Sequence, residues 1–186
     1  MNERMETFIS VDVEASGPIP GEYSLLAIGA CVVRAPEETF YVELKPVTPN
    51  AVPEALAVAG LDLARLAAEG AEPAQAMADF AAWLACVTPA GGRPIFVAYP
   101  LAFDWMFVAY YFHRFVGHNP FGVGGVDIES YYAGLVGTPW PAPGQDMMEP
   151  AFLKELALSH HAREDAVAQA ALFARLLARR AGGPGS

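Results

Sequence analysis

The sequence predicts an α/β domain in which one mixed sheet of five strands is flanked by helices. Segments with alternating apolar residues, which are typical of strands, occupy the N-terminal part of the chain. Three- and four-residue apolar spacing, which is typical of helices, dominates the C-terminal part, and one almost wholly apolar strand lies between two such helices. The predicted element order is β-β-β-α-β-α-β-α-α, which favours a sheet with helices packed against it.

The first three strands are predicted at residues 7–14, 25–34 and 39–46, with a turn at 36–38 between the second and the third. A glycine- and proline-rich loop separates the first two strands. Because the links are short, we expect these strands to form an antiparallel meander.

The remaining elements follow from helical spacing and from proline and glycine positions. They are a short helix near 53–59, a helix at 72–87, a strand at 95–99, a helix at 102–117, a short strand and a further helix within 123–137, a loop at 138–150, a short helix at 150–158 and a long helix at 163–180. We expect a single domain over residues 1–181 and a disordered tail at 182–186.

The overall charge restricts the kind of partner. The chain has 11 Lys and Arg residues against 21 Asp and Glu residues, a net charge of −10. This balance argues against a protein that grips long nucleic acid through many phosphate contacts. It leaves room for an enzyme that holds a few nucleotides through bound metal ions.

The N-terminal segment makes a cytoplasmic protein the default expectation. The segment "MNERMETF" carries charges of both signs and leads directly into a strand, unlike a signal peptide. The densest apolar run, "WMFVAYYF", is too short to cross a membrane, so no membrane partner is expected. Cys31 and Cys86 lie in apolar stretches, and we expect both to be reduced core thiols.

Two carboxylates on the first strand are the first candidate site. Asp12 and Glu14 are two residues apart, so their side chains share one face of the sheet. At ~4 Å the two charges would repel by about 4 kcal/mol at an effective dielectric of ~20. The next basic residue downstream is Arg34, so a divalent cation with oxygen ligands is the natural counter-charge. The alternative is an edge strand whose polar face meets water.

Acids and histidines elsewhere could join this pair. Asp104 begins the most apolar helix, where it could also complement the helix dipole. Asp165 begins the last helix, and His160 precedes it in a loop, so the two can converge on one point. His160 and its neighbour His161 could instead be exposed loop residues. Arg163 could face a phosphate or pair with a nearby glutamate.

These segments together carry a family resemblance. The pieces "SVDVEASG", "AFDW" within "VAYPLAFDW", and "HHAREDA" resemble the three motifs of the DEDDh 3′→5′ exonucleases, which include ribonuclease T, oligoribonuclease and the proofreading subunit of bacterial DNA polymerase III. The resemblance runs from residue 8 to about 178 and implies a ribonuclease-H-like fold. One departure is Tyr99-Pro100, where the family often has His-Asn; it affects the fine positioning of the substrate.

The resemblance also implies a mechanism. Four acids would hold two Mg²⁺ or Mn²⁺ ions, and His160 would act as the general base that takes a proton from the attacking water. The implied metal ligands are Asp12, Glu14, Asp104 and Asp165, with Asp12 as the bridging ligand.

Substrate contacts are implied for the loop after the first strand. The backbone of Ala15, Ser16 and Gly17 would lie near the terminal 3′ hydroxyl, and Leu26, or Leu25 beside it, would press on the terminal base. Tyr99 could stack on a base or pack in the core.

The implied substrates are the 3′ ends of single-stranded RNA or DNA and short oligonucleotides, and the resemblance allows a homodimer. Two alternatives remain: a catalytically weak nucleic-acid-binding member of the same fold, and a phosphohydrolase that acts on a small nucleotide. The residues by themselves do not choose between RNA and DNA.

Overall fold

A five-stranded mixed sheet forms the centre of the structure, a computed structural model in which the described residues are 5–140, Met148 and 159–181. The strand order is β3-β2-β1-β4-β5, with antiparallel pairing from β1 to β3 and parallel pairing of β1, β4 and β5. The predicted meander and the predicted mixed sheet are therefore confirmed. The strands are β1 (Glu6–Ala15), β2 (Leu25–Val32), β3 (Ala35–Glu43), β4 (Arg93–Ala98) and β5 (Gly125–Asp127).

Six helices are described. They are α1 (Pro53–Ala59), α2 (Leu63–Glu69), α3 (Pro73–Val87), α4 (Leu101–Phe115), α5 (Ile128–Val136) and α6 (Ala162–Ala181). Within the described residues no helix combines the length and the apolar character needed to span a bilayer. The helix expected at 150–158 and the tail expected at 182–186 lie outside the described residues.

Helix α2 was missed by the sequence prediction. The Asp62 carboxylate accepts a hydrogen bond from the Arg65 N–H at 2.7 Å, and this cap starts the helix. With only seven residues, the helix has too few turns to show apolar periodicity in the sequence.

The sheet separates two apolar layers. On one face, Ile9 and Val11 of β1 pack with Phe80 of α3 and Phe112 of α4. On the other face, Cys31 and Val97 pack with Phe173 of α6 and with α5. The alternation along β1 therefore assigns its apolar residues to the first layer and its polar residues to the side covered by α6.

Two predicted details are wrong. The turn between β2 and β3 lies at residues 33–34, and residues 36–38 belong to β3. Pro36 is tolerated there because β3 is an outer strand of the sheet. Cys86 is exposed, unlike the buried Cys31, because it follows the buried Leu84 by two residues and so faces away from the core side of α3.

Candidate active site

Three carboxylates from two distant segments meet on the α6 side of the sheet. Asp12 and Glu14 of β1 and Asp165 of α6 each offer an oxygen, and these oxygens all lie within 4.8 Å of one another. The prediction that the β1 acids share a face and that the acid of the last helix converges on them agrees with this geometry. The donor set contains only oxygen atoms, which suits a hard divalent cation such as Mg²⁺ or Mn²⁺.

A glycine allows α6 to reach this position. Gly29 of β2 pairs with Asp12 across the antiparallel ladder, so both positions face the same side of the sheet. A Cβ added at Gly29 would overlap the carbonyl of Ala162 and the backbone nitrogen of Arg163. The first turn of α6 therefore lies directly on β2, beside Asp12. The sequence signal for this role was a lone glycine inside an apolar strand.

Asp165 is held by the loop that leads into α6. Its Oδ1 accepts hydrogen bonds from the Ser159 N–H at 2.7 Å and from the Ser159 hydroxyl at 3.0 Å. Its Oδ2 accepts from the His160 N–H at 2.9 Å. These bonds fix the carboxylate against the chain just before the helix and orient it toward the β1 acids.

Asp104 approaches β1 from the opposite helix layer. The Val13 N–H donates to Asp104 Oδ1 at 2.8 Å. Because Val13 lies between Asp12 and Glu14 in β1, this bond holds the Asp104 carboxylate beside that pair of acids. The parallel pairing of β1 with β4 ends at Ser10, so Val13 has no β4 partner and Asp104 takes that place. Asp104 is almost fully buried, and it lies outside the group of three whose oxygens are within 4.8 Å.

The electrostatics of the four acids favour uptake of positive charge. Burial, followed by the charges of Asp104, Glu14 and Asp165, raises the pKa of Asp12 well above its usual value. Burial and the Asp165 charge raise the pKa of Glu14 to about 7. Burial raises the pKa of Asp104 to about 8, although the hydrogen bond from Val13 opposes this shift. Bound protons or a bound cation can neutralise the negative charge of these buried carboxylates.

Gln169 is a residue of the site that sequence reasoning missed. Its side chain is fully buried on α6, four residues after Asp165. Its Nε2 donates to Asp12 Oδ1 at 2.7 Å, and its Oε1 accepts from the Tyr99 N–H at 3.1 Å. An acid followed four residues later by a polar residue on one helix face was the available signal.

The two histidines have different environments. The His161 ring stacks on Tyr41 with centroids 4.7 Å apart, and its Nδ1 is buried without a hydrogen-bond partner. His160 is exposed and has a φ of 58°, a left-handed conformation that is uncommon outside glycine. His160 is therefore the accessible imidazole of the pair. Arg163 makes no ion pair among the described residues, and its guanidinium lies 5.8 Å from the Tyr41 ring centroid.

Ser16 makes hydrogen bonds within the protein through its backbone and through its hydroxyl. The Ser16 N–H donates to the Ser24 carbonyl, and its own carbonyl accepts from Val52. Its hydroxyl donates to the Asn50 carbonyl at 2.8 Å. Gly17 is buried because the Tyr23 ring lies where a Cβ would stand. The Ser16 backbone expected near the 3′ hydroxyl is thus already bonded within the protein.

The leucines expected to contact the terminal base lie in the core. Leu25 and Leu26 have no exposed surface, so neither presents a side chain to a base. Ala15 is almost fully buried at the end of β1, whereas Ile19 in the following loop is 45% exposed and supplies the accessible apolar surface there. Tyr99 is partly buried, and its N–H is bonded to Gln169.

Comparison with known proteins identifies a close relative. No protein-family model matches the chain. The chain is 41% identical over 173 residues to the Escherichia coli 3′-5′ DNA exonuclease Cap18. The aligned region covers 93% of this chain and 92% of Cap18.

Solved structures share the fold. Exonuclease I of E. coli, in complex with a dT13 oligonucleotide, matches 96% of this chain and 42% of its own with a TM-score of 0.72 and 18% identity. Cell-death related nuclease 4 matches 92% of this chain and 64% of its own with a TM-score of 0.71 and 15% identity. The chain thus spans less than half of Exonuclease I. The likeness confirms the expected ribonuclease-H-like fold.

Proposed function

The chain belongs to the 3′→5′ exonuclease family of Cap18, as its 41% identity over 93% of its length shows, and on this premise we propose that it shortens single-stranded DNA from the 3′ end with two divalent cations, Mg²⁺ or Mn²⁺. The observation that carries the site assignment is the convergence of Asp12, Glu14 and Asp165 within 4.8 Å, although the last residue lies far along the chain from the first two. Acids that repel one another remain together in a fold when a cation completes the site.

The four acids would hold the cations in different ways. Asp12 is the proposed bridging ligand, because the charges of all three other acids act on it. Glu14 and Asp165 lie close enough to share ions with it, and Asp104 supports the site from the buried side of β1. The bound cations would supply Lewis-acid stabilisation of the charge that develops on the attacking and leaving oxygens.

His160 is the proposed general base. An imidazole exchanges protons near neutral pH, so it suits the removal of a proton from an attacking water. The His160 side chain is exposed, and its backbone N–H is bonded to Asp165, which ties its position to that acid. His161 is packed against Tyr41 and lacks this freedom.

DNA is the proposed substrate because the relative Cap18 is named as a DNA exonuclease and because structures of Exonuclease I contain single-stranded DNA oligonucleotides. The net charge of −10 favours a short footprint, in which only a few phosphates near the 3′ end contact the protein. We therefore expect activity on single-stranded 3′ ends and on short oligonucleotides.

A nuclease assay on the Asp12→Asn variant tests the proposal. The wild type should convert 5′-labelled single-stranded DNA into a ladder that shortens from the 3′ end in Mg²⁺ or Mn²⁺, and EDTA should stop the reaction. Asp12→Asn keeps the acceptor for Gln169 but removes the charge, so the rate should fall by at least about 100-fold. A melting curve checks that the variant is folded.

Asp79→Asn is the matched control, because Asp79 is an exposed acid on α3 whose carboxylate accepts only from Gln75 among the described residues. Its rate should equal that of the wild type. Undiminished cleavage by Asp12→Asn would overturn the site, and faster cleavage of RNA than of DNA would overturn the proposed substrate.

A further inference from the structure

One buried amide connects the three segments that carry the acids. Gln169 is fully buried and touches Asp12 of β1 through its Nε2 and Tyr99 of the turn between β4 and α4 through its Oε1. The same helix face carries Asp165 four residues earlier. Asp104 follows Tyr99 by five residues on the segment that this turn starts.

The chemistry of the partners determines which way this amide points. The Tyr99 N–H can only donate a hydrogen bond, so the atom that faces it at 3.1 Å must be the amide oxygen. The amide NH₂ group is then directed at Asp12 Oδ1, 2.7 Å away. A carboxylate accepts this bond, so both contacts are satisfied in one arrangement and neither is satisfied in the flipped one.

The bond restricts the Asp12 carboxylate before any cation binds. A 2.7 Å bond to a buried donor would be lost if the carboxylate rotated, so Oδ1 keeps one orientation. Partners that orient a metal ligand in this way contribute to affinity, because the ligand does not have to be ordered when the ion arrives.

We propose that Gln169 is a positioning residue that holds the Asp12 carboxylate ready for a divalent cation and couples it to the turn at Tyr99. The inference rests on the proposed metal-dependent function, since it assigns Gln169 a role in that site. Gln169 acts through Asp12 and does not itself touch the reacting atoms.

Mn²⁺ binding to the full chain, measured by titration calorimetry without nucleic acid, is the test. Gln169→Met has a similar volume but removes both hydrogen bonds, and its Mn²⁺ dissociation constant should rise about 10- to 100-fold. Gln169→Asn keeps the amide but is one methylene too short to span Asp12 and Tyr99, so it should weaken binding similarly. If Gln169→Met does not fold, Mn²⁺ binding to Gln169→Asn provides the same test.

The control is Gln75→Met, because the Gln75 Nε2 also donates to a carboxylate, that of Asp79 at 2.8 Å, but on the exposed side of α3. It should leave Mn²⁺ affinity unchanged. A second readout is the Mn²⁺ dependence of cleavage: the rate of Gln169→Met should approach that of the wild type at saturating Mn²⁺, because the variant loses affinity rather than a reacting group.

The outcomes separate the two proposals. If the wild type binds Mn²⁺ and Gln169→Met and Gln169→Asn bind it equally well, the positioning role is wrong while the metal site stands. Another outcome is that Gln169→Met is folded but less stable than the wild type, and that excess Mn²⁺ does not restore its cleavage rate. Gln169 then has a structural role only, and the positioning role is wrong. If the wild type binds no Mn²⁺, the metal site itself fails and this inference fails with it.

Discussion

Gly29 and Ala162 lie backbone against backbone, and no side chain can stand between them. This contact sets the distance between the first turn of α6 and β2. Because Gly29 pairs with Asp12 on the neighbouring strand, the contact also sets the distance between Asp12 and Asp165. A residue without a side chain therefore determines how the acids of the site meet.

Gly29→Ala should damage stability and activity together. The added methyl would overlap the backbone of Ala162 and Arg163, which cannot move aside as a flexible side chain could. We expect a loss of about 1–3 kcal/mol in the free energy of unfolding, measured by urea denaturation. Metal-dependent cleavage should fall even at temperatures where the variant is fully folded, because Asp165 moves away from the β1 acids.

Gly134→Ala is the matched substitution. Gly134 is exposed on α5, and a Cβ there would meet no atom within 4 Å. Alanine should stabilise this helix by about 0.5–1 kcal/mol and leave the cleavage rate unchanged. If Gly29→Ala behaved like Gly134→Ala in both measurements, the role given to Gly29 would be wrong.

The metal-free protein should become less stable as the pH rises. The pKa of Glu14 is raised from 4.5 to about 7, and that of Asp104 from 3.8 to about 8, in the folded state. The folded state then binds more protons than the unfolded state in this interval, so the stability contributed by these groups is complete below about pH 4 and is lost as the pH rises through 7 to 8.

Melting temperatures in EDTA between about pH 4 and about pH 8 measure this effect. Asp12→Asn should make the decline smaller, since the charges of Asp104 and Glu14 both interact with the charge of Asp12. Mn²⁺ should raise the melting temperature most at the upper end of the range, where the acids have lost their protons. A melting temperature that rose with pH in EDTA would contradict the assignment.

Substitutions of the two histidines should have different effects: the change at His160 should lower the cleavage rate, and the change at His161 should lower the stability. His160→Gly removes the proposed base, and glycine accepts a φ of 58° without strain, so cleavage should fall by roughly 100-fold or more while the melting temperature is retained. His161→Ala removes the ring stacked on Tyr41, so it should lower the free energy of unfolding by about 0.5–1.5 kcal/mol and keep most of the activity. A stable, fully active His160→Gly variant would exclude His160 as the base.

The local sequence pattern predicted the structure correctly where the structure depends on neighbouring residues. The alternation along β1 predicted that Asp12 and Glu14 share one face, and short links predicted the meander. The same reasoning placed a turn at 36–38 inside an edge strand and missed α2, because short or exposed segments carry little apolar signal.

The sequence by itself determined which residue types occur, which of them share a face of a strand or helix, and which family the motifs resemble. Only the tertiary structure decided which distant groups touch. Asp104 bonds to Val13 across 91 residues and Gln169 to Asp12 across 157, and Leu26 is buried although its position in a strand left either face open. Periodicity is a property of a few adjacent residues, whereas these contacts depend on the order of the strands in the sheet and on how closely α4 and α6 pack against it.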